Sequence, residues 1–367
     1  MAERMQAIKA ARLVDGTGAP PIEDAVLLIT DDRISKVGRS ADTQIPAAAT
    51  VVDLGGATLL PGLIDAHVHF YRADSDSFVI RSIEPPQRKL IRAVVDAQTL
   101  LQAGFTGARE MGNRDSVFLK QAIEAGEIAG PRLVTPRMMI VQTGGSPDPY
   151  WLPVKWVEEY DYRCRLADGV DEVRKAAREQ IRGGADFIKI MASGGLTTRQ
   201  SPRETYHYSL EELEAIVEEG HKVGLLVAAH AHGPAAVQNA VRAGIDTIEH
   251  GRYLDEETAD LMAEHGVLYV PTLGISYILA KAAAESGVSP AVIKRAREGY
   301  EGTVNSVRLA GERGVRIAAG TDFGGIPLYG HGPNAIEAEL LVRAGLTPAE
   351  AIVAITKRGA EAMGRQD

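Results

Sequence analysis

RAGIDTIEH, residues 242–250, closes a helical stretch on a small residue and a glycine, then runs through a short apolar segment to a charged stop. The same punctuation recurs in QAGFTGARE (102–110), RGGADFIKI (182–190), KVGLLVAAH (222–230), EHGVLYVPT (264–272) and ERGVRIAAGTD (312–322). Each glycine suits the left-handed residue just past a helix. Each apolar run is short enough for a buried parallel strand. Thr58–His67 and Arg132–Val141 fit the series as two further strands. Eight strand positions with helices between most of them predict an α/β fold, a parallel (β/α)8 TIM barrel. A doubly wound open sheet would want a glycine-rich phosphate loop after its first strand, and neither GxGxxG nor GxxxxGK(S/T) occurs.

Upstream of the barrel the texture changes. Ala7–Val14, Ala25–Thr30, Arg33–Val37 and Thr50–Leu54 are short and rich in β-formers, separated by the turns Asp15-Gly16, Pro20-Pro21 and Asp31-Asp32. They predict a small antiparallel β-layer. The chain is therefore expected to divide into a small domain over residues 1–60 and a barrel over 61–367, whose last helix spans Pro348–Met363.

At 367 residues the chain can bury a large core without disulfides. Its 45% hydrophobic and 24% charged content excludes a disordered or fibrous protein. A formal net charge of −9 argues against a nucleic-acid partner bound through counterion release. The single cysteine, Cys164, cannot form an internal disulfide. The N-terminal MAERMQ has no apolar signal core, and no apolar run is long enough to span a bilayer. These features predict a cytoplasmic protein with no membrane partner and a small-molecule substrate. Any metal site must be built from His, Asp, Glu or Lys.

In a parallel barrel, chemistry gathers at the carboxyl ends of the strands. Those ends carry His67 and His69 on the first strand, Lys189 on the fourth, His230 on the fifth, His250 on the sixth and Asp322 on the eighth. His67 and His69 are two apart, so on a strand both leave the same face and can share one metal ion. An isolated H-x-H is a weak motif; its company at the other strand ends gives it weight. Lys189 within the apolar FIKIM is costly as an ammonium. It could pair with a carboxylate such as Glu110. Alternatively, a neutral amine can take up carbon dioxide and become a carbamate, an anion with two oxygens able to bridge two metals.

The motifs GLIDAHVH, DFIKIMASGG, VAAHAHG, TIEHG and GTD resemble the amidohydrolase superfamily, in particular the imidazolonepropionase-like branch that includes zinc-dependent Xaa-Pro dipeptidases. The resemblance runs over roughly residues 5 to 365. It implies a (β/α)8 barrel beside a small β-sandwich domain. It implies two divalent metal ions, zinc being expected: His67 and His69 for the more buried ion, His230 and His250 for the other, carboxylated Lys189 as the bridge. Asp322 would bind the first ion and handle the proton. Imidazolonepropionase itself and most deaminases of the superfamily use one metal and lack the bridging lysine, so by this resemblance Lys189 argues for two metals.

Two cations sharing a water can bring its pKa from about 15.7 to near 7, giving a hydroxide that attacks a carbonyl. Asp322 can take up the proton and pass it to the departing nitrogen. The expected activity is therefore binuclear-metal hydrolysis of an amide bond, in a dipeptide or an N-acyl amino acid. A carbamate, thiocarbamate or urea hydrolase with the same metal centre is the nearest rival, and a non-catalytic barrel scaffold is the rival from another class. The dipeptidases usually carry a histidine where QTGGSPDPYW places Ser146, and a tyrosine where His232 stands. Both positions are expected to face the scissile group. Arg199, Arg203, Tyr206, Arg252, Tyr329 and His331 lie in segments that follow strand ends, where substrate contacts collect. An arginine there can grip a carboxylate with two parallel bonds.

The resemblance also implies strands that return to the small domain after the barrel. The sequence stops at Asp367 without them: either the sequence is truncated there, or the sandwich is incomplete at the C-terminus, with an open edge that favours a homo-oligomer.

Overall fold

A computed structural model describes residues 4–72, 80, 83–160, 163–195, 205–285, 290–325 and 327–365. The chain forms two compact units, Met1–Leu63 and Ile64–Asp367.

The first unit carries a five-stranded sheet: β1 (Met5–Leu13), β2 (Ile22–Thr30), β3 (Arg33–Arg39), β4 (Thr50–Asp53) and β5 (Thr58–Leu59). The expected antiparallel layer holds for β1–β2 and β2–β3. It fails for β4 and β5, which both run parallel to β1, on successive parts of its free edge. Strand periodicity reports which residues alternate, not the direction in which a neighbour runs. Leu13, Ala25 and Leu27 form the apolar centre of this unit, with Ile8, Ile22, Ile29 and Leu59 packed on them.

The second unit is the (β/α)8 barrel. Its strands are β6 (Leu63–Val68), β7 (Phe105–Glu110), β8 (Arg132–Val134) continuing as β9 (Met139–Val141), β11 (Ile188–Met191), β12 (Val227–Ala231), β13 (Thr247–His250), β14 (Leu268–Val270) and β15 (Arg316–Ile317). The order is β6-β7-β8 in one sheet and β9-β11-β12-β13-β14-β15 in the other, with β10 (Cys164–Leu166) added outside β9. A seam between the first and last strands closes the ring: Ala66 N–H donates to Ala319 O at 2.9 Å, Asp322 N–H to His67 O at 2.7 Å and His69 N–H to Phe323 O at 2.8 Å.

Three sequence expectations change in detail. Thr58–His67 is not one strand: Pro61 and Gly62 separate β5 from β6. Arg132–Val141 breaks after Val134, at Pro136 and a left-handed Arg137 (φ 63°). The C-terminal helix divides at Thr356, giving Pro348–Ile355 and Lys357–Ala362. The glycine punctuation stands: Gly104, Gly184, Gly224, Gly244, Gly266 and Gly314 all have positive φ, which turns the chain from each helix into its strand.

The helices bury one stripe each. Helix α1 (Val170–Arg182) buries Val173, Ala176, Ala177 and Gln180, the spacing of one helical face. Helix α2 (Leu210–His221) starts at a capping box, with Ser209 Oγ accepting from Glu212 N–H and the Glu212 carboxylate accepting from Ser209 N–H. Beneath them, Met111, Val134, Phe187 and Ala228 pack as one buried cluster. Burial of each large side chain there stabilises the unit by roughly 1.5–3 kcal/mol. No helix among the described residues is long and apolar enough to cross a membrane.

Candidate metal centre and active site

A cavity of 340 Å³ is lined by His67, His69, Lys189, His230, His250 and Asp322. The strands that deliver them are β6, β11, β12, β13 and the segment after β15. His69 Nε2 lies 3.0 Å from Asp322 Oδ1, and His67 Nε2 lies 3.6 Å from the same oxygen. His250 Nδ1 stands 4.0 Å from Asp322 Oδ2. Ligand atoms of His67, His250 and Asp322 all fall within 4.8 Å of one another, a group that could hold a metal ion. The ring centroids of His230 and His250 are 4.5 Å apart.

Three imidazoles have one nitrogen engaged by the protein, which frees the other. His67 Nδ1 sits 2.7 Å from Glu249 Oε2, His250 Nδ1 2.8 Å from Thr272 Oγ1, and His230 Nε2 3.2 Å from the Gly194 carbonyl. Burial lowers the pKa of His67 and pushes His250 well down; burial, with Lys189 nearby, takes His230 to about 3. These are neutral rings, the form that offers a lone pair to a cation. Burial by itself would raise Asp322, but His67 and His69 hold its carboxylate below the ordinary range.

Lys189 is buried, and among the described residues its Nζ has no hydrogen-bond partner. Burial brings its pKa from 10.5 down to about 8. Lys189 does not pair with Glu110, whose carboxylate accepts instead from Gly112 N–H at 3.0 Å and from Thr135 Oγ1 at 3.1 Å. An orphaned amine beside neutral imidazoles and a carboxylate is a donor set that fits divalent cations.

Strand geometry alone would not collect these groups. Consecutive strand residues face opposite ways, yet Glu249 and His250 both serve the cluster. His250 has a left-handed backbone (φ 73°), as do Thr272 (φ 53°) and Asp322 (φ 62°), so three strand ends turn sharply where they reach the site. Behind Thr272, the buried Glu337 carboxyl accepts from Leu273 N–H at 2.9 Å and Gly274 N–H at 2.6 Å, and burial pushes it up to about 8.

Ser146, His232, Arg252 and Tyr329 also line the cavity. The His232 ring lies 4.5 Å from that of His230. His331 stands elsewhere: its Nε2 is 3.1 Å from the His69 carbonyl and its ring packs on Phe70, so it backs the first strand. Tyr206 is 58% exposed and borders a separate shallow depression with Asp168 and Asn239. Arg199 and Arg203 lie outside the described residues.

The sequence reading missed several groups in or behind this site. Arg163 lines the cavity with its guanidinium 5.5 Å from the Tyr71 ring centroid, and Met111, Met139 and Met191 form an apolar wall. Arg163 comes just before β10, a strand whose three residues are too few to carry a periodic signal. Glu249 and Arg109 stand behind His67. The one signal for them was charge inside apolar strand segments, the same signal that singled out Lys189.

A closed parallel barrel with imidazoles, a carboxylate and a buried lysine at its strand ends defines a barrel hydrolase. The Amidohydrolase family profile matches residues 58–367, and the chain belongs to that family. The ochratoxinase of Aspergillus niger is 35% identical over 387 aligned positions, covering 98% of this chain and 76% of that protein. The crystal structure of A. niger ochratoxinase has a TM-score of 0.88 at 32% identity, over 98% of this chain and 85% of that one. A crystal structure of a Xaa-Pro dipeptidase with bound methionine in the active site also has a TM-score of 0.88, at 31% identity over 99% of this chain and 89% of that one. Molinate hydrolase has a TM-score of 0.80 at 20% identity, over 100% of this chain and 86% of that one, a likeness of fold alone. The chain is a hydrolase that acts on carbon–nitrogen bonds.

Proposed function

We propose that this chain is a binuclear-metal amidohydrolase whose substrate is an N-acyl amino acid or a dipeptide. The observation that carries the reading is the orphaned Lys189 Nζ among neutral His67, His230 and His250. His67, His69 and Asp322 would hold one ion, and His230 and His250 the other. Lys189 would be the bridge, after its amine adds carbon dioxide and loses a proton to become a carbamate. Imidazole and oxygen donors suit zinc. Bound there, the two cations would supply a water of pKa near about 7 and polarise the scissile carbonyl.

The chain's own residues do the rest. Asp322 stands at the seam of the barrel beside His67 and His69 and would accept the proton of the attacking water and return it to the leaving nitrogen. Arg163 and Arg252 put positive charge on the cavity wall, which suits a substrate carboxylate. Met111, Met139 and Met191 offer an adaptable apolar surface to the acyl portion. His232 and Ser146 face the cavity and would touch the scissile group.

A substrate panel tests the reading: N-acyl amino acids, Xaa-Pro dipeptides, neutral carbamates and aryl ureas, each with the zinc-loaded enzyme. Carboxylate-bearing amides are expected to turn over fastest. Faster turnover of neutral carbamates or ureas than of every carboxylate-bearing amide would replace this reading with the carbamate or urea hydrolase.

A further inference from the structure

The barrel interior holds an ion pair that the reaction described above does not use. Arg109 and Glu249 are each fully buried. Arg109 Nη2 donates to Glu249 Oε1 at 2.5 Å, its Nε to Ala66 O at 2.7 Å, and its Nη1 to Thr247 Oγ1 at 3.1 Å and Ala362 O at 3.3 Å. Thr247 Oγ1 donates to Glu249 Oε1 at 2.7 Å. The second carboxylate oxygen, Oε2, lies 2.7 Å from His67 Nδ1.

We propose that Glu249 is a positioning residue, held by Arg109 and Thr247, that fixes which nitrogen of His67 carries the proton and where its ring points. This rests on reading His67 as a metal ligand. A carboxylate only accepts hydrogen bonds, so the neutral His67 ring must place its N–H on Nδ1. Nε2 is then left with the lone pair, on the side where Asp322 Oδ1 lies at 3.6 Å. A carboxylate behind a ligating histidine fixes the tautomer and raises the basicity of the ligating nitrogen. The energetics favour such a role over a purely stabilising one. A buried ion pair must offset the cost of taking two charges out of water, and apolar residues of similar volume often serve stability as well. Among the described residues, Arg109 and Thr247 both bind Oε1 of Glu249, and Oε2 is the oxygen that meets His67.

The test uses Glu249→Gln and Glu249→Leu, with two readouts besides activity. The first is the His67 tautomer in the metal-free protein, read from ring ¹⁵N shifts and assigned by difference from His67→Asn. The second is zinc affinity by chelator competition. Wild type is expected to show a single Nδ1–H tautomer. Glu249→Leu should mix the tautomers and weaken zinc binding by roughly 10- to 100-fold. Glu249→Gln keeps an acceptor but loses the charge. It should retain the tautomer and weaken zinc about 10-fold, at the lower end of that range. If Glu249→Leu lowers the melting temperature but leaves tautomer and zinc affinity unchanged, the pair is structural and the proposal is overturned. Should the leucine variant not fold, unchanged zinc affinity in Glu249→Gln overturns it equally. A wild type that binds no zinc would defeat the metal reading, while the tautomer measurement would still decide the role of Glu249.

Discussion

The backbone N–H of Asp322 donates to the carbonyl of His67 at 2.7 Å, so the first and last strands are joined at two of the residues that face the cavity. Asp65 reinforces the seam, accepting from Thr321 Oγ1 at 2.7 Å across 256 positions of sequence. The geometry of the site is thus set by barrel closure as much as by any local motif.

Gly320 sits in that seam. A Cβ there would lie 2.6 Å from Val270 Cγ1, 2.8 Å from His67 Cβ and 2.9 Å from His67 N. Gly320→Ala must therefore push the first strand away. It is expected to lower unfolding free energy by about 1–3 kcal/mol, the usual cost of overpacking. Urea unfolding measures this, and a change within about 0.5 kcal/mol would show that the seam can yield.

Lys189 is expected to be needed for the second ion. Elemental analysis of wild type purified without chelator should find about two divalent ions per chain. Lys189→Ala should lose one of them with most activity, and short carboxylic acids should restore part of both. Full activity and full metal content in Lys189→Arg would rule out a carbamate bridge.

Asp322→Asn should fold and still bind substrate. Its turnover should fall by about 10²–10⁴-fold or more, since general acid–base help alone has that magnitude. A loss below about tenfold would move the proton to another group, with His232 the next to test.

Arg163→Met and Arg252→Met remove charge from the cavity wall while keeping side-chain length. Each should lower kcat/KM for a carboxylate-bearing amide by about 10- to 150-fold, the cost of losing a charge-assisted bond. The loss should vanish for the matching methyl ester. Equal losses for acid and ester would mean that both arginines only pack.

Outside the site, Glu219 joins helices α1 and α2. It receives Arg178 Nε at 2.8 Å, Arg174 Nη1 at 2.5 Å and Lys222 Nζ at 3.3 Å. The bond from Arg178 leads in lowering its pKa from 4.5 to about 2, against the effect of burial. A depressed folded-state pKa gives stability that is present above pH 4.5 and lost as pH falls toward 2. Arg178 and Lys222 are more than half exposed and Arg174 a quarter exposed, so solvent screens the pairs and Glu219→Gln should cost only about 1 kcal/mol at neutral pH. That difference should shrink below about pH 4 in chemical unfolding curves. A constant difference across the acid range would assign the effect to packing.

The barrel was legible because one local device, helix, glycine, short apolar run and polar stop, repeats at six of the eight strands. The strand-end residues His67, His69, Lys189, His230, His250 and Asp322 were legible because their types are rare in apolar strands. Glu249 was not, although it adjoins His250, because its role depends on Arg109 and His67 from other strands. The parallel pairing of β4 with β1, and the break at Pro136, likewise depend on which segments become neighbours. His331 follows Asp322 closely in sequence, yet the chain turns it behind His69. Distance along a loop does not tell which side of a strand the loop returns to.

The left-handed residues His250, Thr272 and Asp322 bear on how such an enzyme can diversify. Each costs about 1–2 kcal/mol of backbone strain, and glycine, the residue that would relieve it, carries no functional group. Few substitutions at those three positions can satisfy both backbone and chemistry. Tyr71, Ser146 and Arg163, which face the same cavity, lie outside the strands and are not themselves left-handed. Substitution at the loop positions is therefore expected to alter specificity at less backbone cost than substitution at the three strand ends.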